Sequence, residues 1–473
     1  MIDPAQPIPI FVQLKALLMD DILRGRYCAG DRLPTEHDLC ARYGISRTPV
    51  TRALSELADE GVVLRHRRRG TFVNPHWLQR NANGREVRAM VPEGPWATML
   101  EAAAGEDVGL SIVAVELTEL HQRLVQAVAA GQAPDVAVLD SVWVPEFAAA
   151  GFLRPLDELD AVWVTTEYEP DFLDAFVAAN RHGGRPVAAQ AEADVAGLWF
   201  RRQALADIGV SVPESWSDLS DVCARLVAAG RRDPLVLPGG SRAGEAASYG
   251  LLGLLAANGV QVLGPDRVTL DCPAAVECVT LLRVLREAGA LSAELVGWEL
   301  GRPIRQLALG QADLCIGGSY EGPAIAAAAD LPPAELWREF GFARLPAGPS
   351  GPARTLAGGM VHAIFRQAAV PELAMRLVRA AVSPRALAGM SRQTGQIPSR
   401  RSAIALVASE SEFLADTARM LDDAVVRPAT SAYARLSAQL QALLETVLLG
   451  REDPAIAVRH TAQMIGAITG LPA

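Results

Sequence analysis

The chain has 473 residues, too many for one ordinary core and enough for two or three domains. Half of its residues are hydrophobic and 21% are charged, which excludes a disordered or fibrous chain. The net charge of −10 hides an asymmetry: residues 1–80 hold twelve Lys and Arg against nine Asp and Glu, so a head of +3 precedes a body of −13. A basic head on an acidic body suits a small nucleic-acid module joined to a large domain that avoids phosphates.

The N-terminal stretch lacks an apolar run between a basic start and a small-residue cleavage site, and no run of eighteen apolar residues occurs. A cytoplasmic protein with no membrane partner is expected. The six cysteines (Cys28, Cys40, Cys223, Cys272, Cys278, Cys315) form no CxxC pair, and His37 with Cys40 is the only close His/Cys pair. Free thiols are expected, with no metal site. Lys15 is the only lysine; every other basic residue is arginine.

In chain order, Phe11, Leu14, Leu17, Leu18 and Ile22 lie on one face of a helix over 11–24. Thr35 caps a short helix ending at Tyr43, with Asp38 at its third position. A turn at Gly44 and Ile45 follows, and Ser46 caps a third helix of about fourteen residues with Val50, Ala53, Leu54 and Leu57 at helical spacing. Pro49 is tolerated because the first turn has no intrahelical acceptors for its backbone N–H groups. Two short helices joined by a glycine turn form a helix-turn-helix. Strands at 62–64 and 71–73 then flank a basic tip, Arg65, His66, Arg67, Arg68, Arg69 and Gly70. Such a wing neutralises phosphates or enters a minor groove, while the second helix offers its N-terminal side chains to the major groove.

These residues carry a resemblance. Arg32-Leu33-Pro34-Thr35-Glu36, Ser46-Arg47-Thr48, Ala53-Leu54, Glu60-Gly61 and Gly70-Thr71-Phe72-Val73 resemble, in order, the winged-helix domain of the GntR family of bacterial regulators. The resemblance implies that Ser46, Arg47 and Gly70 meet DNA. The DNA-facing set is read as Arg32, Thr35, Ser46, Arg47, Thr48, Thr51, Arg52, Arg67, Arg68, Arg69 and Gly70. Thr51 stands where many members have arginine, with Arg52 adjacent, and His37 stands where arginine is frequent. Arg32 also has a bracing role at the turn, and Lys15 is read as plain surface or a phosphate contact.

From 74 to 88 hydrophobic periodicity is lost and Asn, Gly and Pro gather, marking a connector. Strands at 87–91, 111–117 and 134–140 then alternate with helices at 96–104 and 120–130, which predicts a mostly parallel sheet with helices on both faces. Ligands in such sheets bind beyond the strands' carboxyl ends, where Asp140 and Trp143 fall. Segments 129–159, 195–219, 307–322 and 356–400 resemble the type 1 extracellular solute-binding proteins of sugar ABC transporters. They carry Pro134-Asp135-Val136, Trp199-Phe200-Arg201 with Glu214-Ser215-Trp216, Gly310-Gln311-Ala312, and Gly358-Gly359 with a closing Ile397-Pro398-Ser399-Arg400.

That resemblance implies two α/β lobes joined by crossing segments, with ligand between them and closure by hinge bending. The expected fold is therefore multidomain: an α+β winged helix-turn-helix at 1–75, a linker at 76–86, and a two-lobed α/β periplasmic-binding-protein-like domain at 87–473. Ligand-binding candidates are Asp140, Trp143, Glu192, Trp298, Gly318, Ser319, Tyr320 and Glu321. Each has a plainer alternative: tryptophans fill cores, Gly317 to Ser319 can be a tight turn, and Asp140 can cap the helix after it.

Some GntR-type heads are fused to an aminotransferase-like domain, which needs a lysine for its Schiff base; none follows Lys15. GxSxG, HExxH and Walker motifs are also missing. No enzyme, catalytic residue or cofactor is expected. The reading is a regulator with operator DNA, a small-molecule effector of the sugar class and a second copy of itself as partners; the alternative is the solute-binding component of an ABC transporter.

Overall fold

The structure is a computed structural model that describes residues 2–4, 8–66, 69–75, 77, 86–105, 108–332 and 335–473. Helix α1 (Ile10–Leu23) buries Leu14, Leu18, Met19 and Ile22 against Leu39, Val50, Leu54 and Leu57 of α2 (Glu36–Tyr43) and α3 (Arg47–Asp59). The apolar spacing seen in the sequence is thus the core of a three-helix head. Thr35 opens α2 with a capping box: its hydroxyl oxygen accepts from the Asp38 backbone N–H at 3.2 Å, and Asp38 Oδ2 accepts from the Thr35 N–H at 3.0 Å. Ser46 occupies the corresponding place before α3, but its side chain makes no cap hydrogen bond. Strands β1 (Val63–His66) and β2 (Gly70–Val73) pair antiparallel, from Val63 opposite Val73 to His66 opposite Gly70.

Two compact units divide the chain. Unit 1 takes Met1–Glu192, Gly359–Gly389 and Ser399–Ala403, so it contains the head; unit 2 takes Ala193–Gly358, Met390–Pro398 and Ile404–Ala473. In unit 1, β3 (Glu86–Pro92) runs parallel to both β4 (Gly109–Val115) and β5 (Val136–Asp140), as strand–helix alternation predicts. The sheet continues through Met360–Ile364, antiparallel to β5, and ends at Ala189–Gln190. It is therefore mixed, not mostly parallel. Residues 193–358 lie in the other unit, so no short crossover helix forces the returning strand into the parallel direction.

Unit 2 is built around the strand Asp194–Arg201, buried at all but its last residue. It pairs antiparallel with Leu314–Gly318, Phe340–Arg344 and Leu356–Gly358, while Leu235–Val236 and Val425–Val426 add parallel pairs outside these. The helix Glu245–Ala257 is buried at every position after Glu245, which explains its run of Ala, Gly and Leu as a core helix. Helices Tyr433–Leu448 and Pro454–Thr469 supply further core residues, among them Leu440, Leu444 and Val458.

Candidate nucleic-acid interface and effector-binding edges

The start of α3 is an open polar surface of the head. Ser46, Arg47 and Thr48 are exposed, Arg47 at 81% of its side chain. A helix N-terminus offers unpaired N–H groups and the positive end of its dipole, both suited to phosphate and base edges. Glu36 at the start of α2 aims two arginines beside it: Arg47 Nε donates at 2.9 Å and an Arg65 terminal nitrogen at 2.8 Å. The Arg47 hydrogen bond is the largest cause of a Glu36 carboxyl held below its usual range, and Thr51 adds another.

Gly70 closes the wing at φ +115°, where a Cβ would lie 2.7 Å from Arg32 Nε. Only glycine suits that backbone and lets the guanidinium approach. Arg32, Thr35, Glu36, Arg65 and Gly70 line one concavity of about 560 Å³ with Leu54 at its floor. Arg69 is exposed at the tip, while Arg67 and Arg68 lie outside the described residues. Arg52 faces elsewhere than the α3 tip residues: its guanidinium sits 3.7 Å over the Phe11 ring and donates to Glu56 at 3.0 Å. Lys15 corrects the surface reading outright. It is 2% exposed, with Nζ 3.2 Å from Glu56 Oε2 and 2.5 Å from Glu60 Oε1, because α1 must bury this side of itself against α3.

In unit 1, Asp140 ends β5 and its Oδ1 accepts from the Val142 N–H at 3.1 Å, the capping role open to it from sequence. Trp143 is half-buried one turn on, edge-on to the His121 ring at 5.2 Å; His121 Nε2 lies 3.2 Å from Glu146 Oε2. Glu192 is buried, and its Oε1 accepts from Met360 N at 2.9 Å beside the same strand end, since Met360 pairs with Asp140.

In unit 2, Leu314–Gly318 ends in a short turn that carries Ser319, Tyr320 and Glu321. Ser319 Oγ accepts from Val195 N at 3.1 Å, and Glu321 Oε2 accepts from Gly318 N at 3.1 Å. Burial pushes the Glu321 carboxyl up to about 8, against the Gly318 hydrogen bond that pulls it down. The Tyr320 ring stands 39% exposed, 6.3 Å from the Tyr249 ring.

Sequence reasoning missed six residues at this edge. Tyr249 OH donates to Asp194 Oδ1 at 2.5 Å, and Arg427 lies with its guanidinium 5.5 Å from the Tyr249 ring centre. Arg427 also pairs at 3.1 Å with Glu245, which accepts from Tyr433 OH and Ser437 Oγ. These positions come from three separate stretches, at 194, 245–249 and 427–437, and no local motif marks them. Trp298 is not brought to this edge: it is a 7% exposed core residue whose ring is covered by the Arg302 guanidinium at 4.5 Å. A separate concavity of about 910 Å³, walled by Phe200, Trp337, Phe342 and Phe413, holds none of the candidate residues.

Among the described residues no helix is long and apolar enough to cross a membrane. Comparison with known proteins follows the same division. Residues 11–73 match the model of bacterial regulatory proteins of the gntR family, and residues 83–388 match that of bacterial extracellular solute-binding proteins. Over 80 residues the chain is 39% identical to the uncharacterized HTH-type transcriptional regulator YurK of Bacillus subtilis, covering 17% of this chain and 33% of that protein. Over 64 residues it is 41% identical to the probable fructoselysine utilization operon transcriptional repressor of Escherichia coli K12, covering 14% of this chain and 26% of that one. The chain thus spans a third or less of these relatives. An ABC transporter solute-binding protein of Thermotoga lettingae, solved with alpha-D-tagatose, superposes with a TM-score of 0.72 at 19% identity, over 82% of this chain and 100% of that one. At that identity the likeness concerns the fold. The chain belongs to the bacterial extracellular solute-binding protein family and carries a gntR-family helix-turn-helix domain at its head.

Proposed function

We propose that this protein is a transcriptional regulator that binds operator DNA through α3 and the wing and answers to a carbohydrate held by its solute-binding region. The observation that carries the reading is the union in one chain of an exposed Ser46-Arg47-Thr48 helix start with a solute-binding fold. Ser46, Arg47 and Thr48 are assigned to base edges and nearby phosphates; Arg32, Thr35, Arg69 and Gly70, with Arg67 and Arg68, are assigned to the backbone. Thr51 supports Arg47 through their shared partner Glu36, and Arg52 braces α1.

Carbohydrate is the ligand class favoured by the two strand ends. Asp140, Trp143 and Glu192 serve in unit 1; Ser319, Tyr320 and Glu321, next to Gly318, serve in unit 2. Trp143 and Tyr320 offer ring surface, and a Glu321 largely neutral at physiological pH suits hydroxyl groups better than cations. A cytoplasmic, non-enzymatic homodimer on a two-fold DNA site completes the reading, with half-sites about one helical turn apart or a multiple of it.

The experiment is thermal unfolding of the full chain against a panel of mono- and oligosaccharides, followed by operator binding with the stabilising sugar. A sugar at about 100 times its dissociation constant stabilises the native state by about 2.7 kcal/mol. The expected result is a saturable shift with one sugar class and a change in DNA affinity of about 5- to 150-fold. A folded protein that no sugar shifts would end the carbohydrate reading and leave the DNA-binding one standing.

A further inference from the structure

Helix α1 belongs to two cores at once. Leu14, Leu18, Met19 and Ile22 pack into the head, whereas Val12 and Ala16, with Ile8 just before the helix, pack with Leu120, Leu124 and Val128 of the helix Leu117–Ala129. Both faces are apolar and buried, so within unit 1 the head meets the sheet domain through a core rather than a wet surface. Met19 reaches the turn after Leu117–Ala129 so closely that a Cβ on Gly131 would lie 2.3 Å from its Cε. Asp20 and Arg24 lie within electrostatic range of Arg366, which follows the strand Met360–Ile364.

Toward the head, α1 is locked to the reading helix by charge. The buried Lys15 ammonium contacts Glu56 and Glu60 at the end of α3, and sliding either helix would leave that charge without its partners. Phe11 under the Arg52 guanidinium is a second tie. Away from the head, the helix Leu117–Ala129 carries His121, which touches Trp143 and Glu146. A contiguous packed path therefore runs from the end of β5 to the end of α3.

We propose that α1 is the transmission element of the regulator: an effector seated against Trp143 moves the helix Leu117–Ala129, and α1 carries that movement to α3. The inference rests on the regulator reading above. Linkage makes it testable from the DNA side alone, because a duplex bound by α3 must act back on the helix Leu117–Ala129.

The test uses the full chain and a duplex that the chain itself retains from a random pool. Hydrogen exchange is compared with and without that duplex. The expected result is slower exchange in α3 and α1 and, several-fold, in Leu117–Ala129. Ala16→Gln overfills the face of α1 turned to Leu120 and Leu124 without touching the head core; it should keep the response of α3 and lose that of Leu117–Ala129. Lys15→Met cuts the charged tie to α3 and should weaken the response in both α1 and Leu117–Ala129. A wild-type helix Leu117–Ala129 that ignores the duplex, or a full response surviving in both variants, overturns the proposal. Should the pool yield no duplex, DNA binding itself falls and the proposal with it, so the two failures are told apart.

Discussion

Unit 1 buries an imidazole in its sheet and unit 2 buries a carboxyl at the end of one of its strands, and burial moves the two in opposite directions. His362, on Met360–Ile364, is pushed down to about 4 from an ordinary 6.5; Glu321 is pushed up to about 8 from 4.5. In each case the interior refuses the charged form. At His362 the folded chain holds less of a proton than the unfolded chain between pH 4 and 6.5, so the stability tied to this group is lost as pH falls through that range. At Glu321 the folded chain holds more of a proton between pH 4.5 and 8, so the stability tied to this group is lost as pH rises. One chain thus carries two opposed sensitivities. In the head, by contrast, the charged Arg47 side chain is 81% exposed.

Glu321→Gln should have the largest effect. Wild-type stability contributed by this group falls by about 1.4 kcal/mol per pH unit across the window, roughly 4–5 kcal/mol in all. Denaturant unfolding at pH 5, 6.5 and 8 should show that slope flattened in the variant; an unchanged slope would break the comparison on the side of unit 2. His362→Leu is the matching test for unit 1. It should remove about 3 kcal/mol of acid sensitivity between pH 6.5 and 4, read by the same titration run downward. If wild type and variant weaken in parallel below pH 6.5, the imidazole is not what makes unit 1 acid-labile.

Arg47→Ala asks whether exposed charge marks function as buried charge marks stability. Specific DNA affinity should drop by about 1–3 kcal/mol while the melting temperature stays put. A binding curve that overlays the wild type would remove Arg47 from the interface. The smallest effect is expected from Thr35→Ala, which ends the capping box of α2 at a cost of about 1 kcal/mol in thermal or chemical unfolding. No loss there would mean that tertiary packing alone holds α2.

Much of the head was legible because its signals are local. The cap at Thr35, the turn at Gly44, the apolar spacing of α3 and the basic tip between β1 and β2 each lie within a few residues of the structure they dictate. Strands β3, β4 and β5 were legible for the same reason, as a repeating strand–helix pattern. Lys15 shows the limit. A lone lysine on an amphipathic helix reads as surface, and only the placement of Glu56 and Glu60, more than forty residues on, makes it an interior ion pair.

The two candidate edges were legible only in part. Asp140 sits at a strand end that the sequence marks, and Ser319 and Glu321 in a segment that the resemblance marks, but the unit 2 residues Asp194, Tyr249, Glu245 and Arg427 converge from three separate segments. Trp298 had the residue type of a sugar platform and the environment of a core. By itself the sequence determined the elements of the head, the first strand–helix alternation after it and where charge concentrates, since these depend on propensity, periodicity and composition. Strand direction in the returning segments, the burial that shifts Glu321 and His362, and the double core around α1 were decided by the tertiary structure, because each depends on residues far along the chain becoming neighbours.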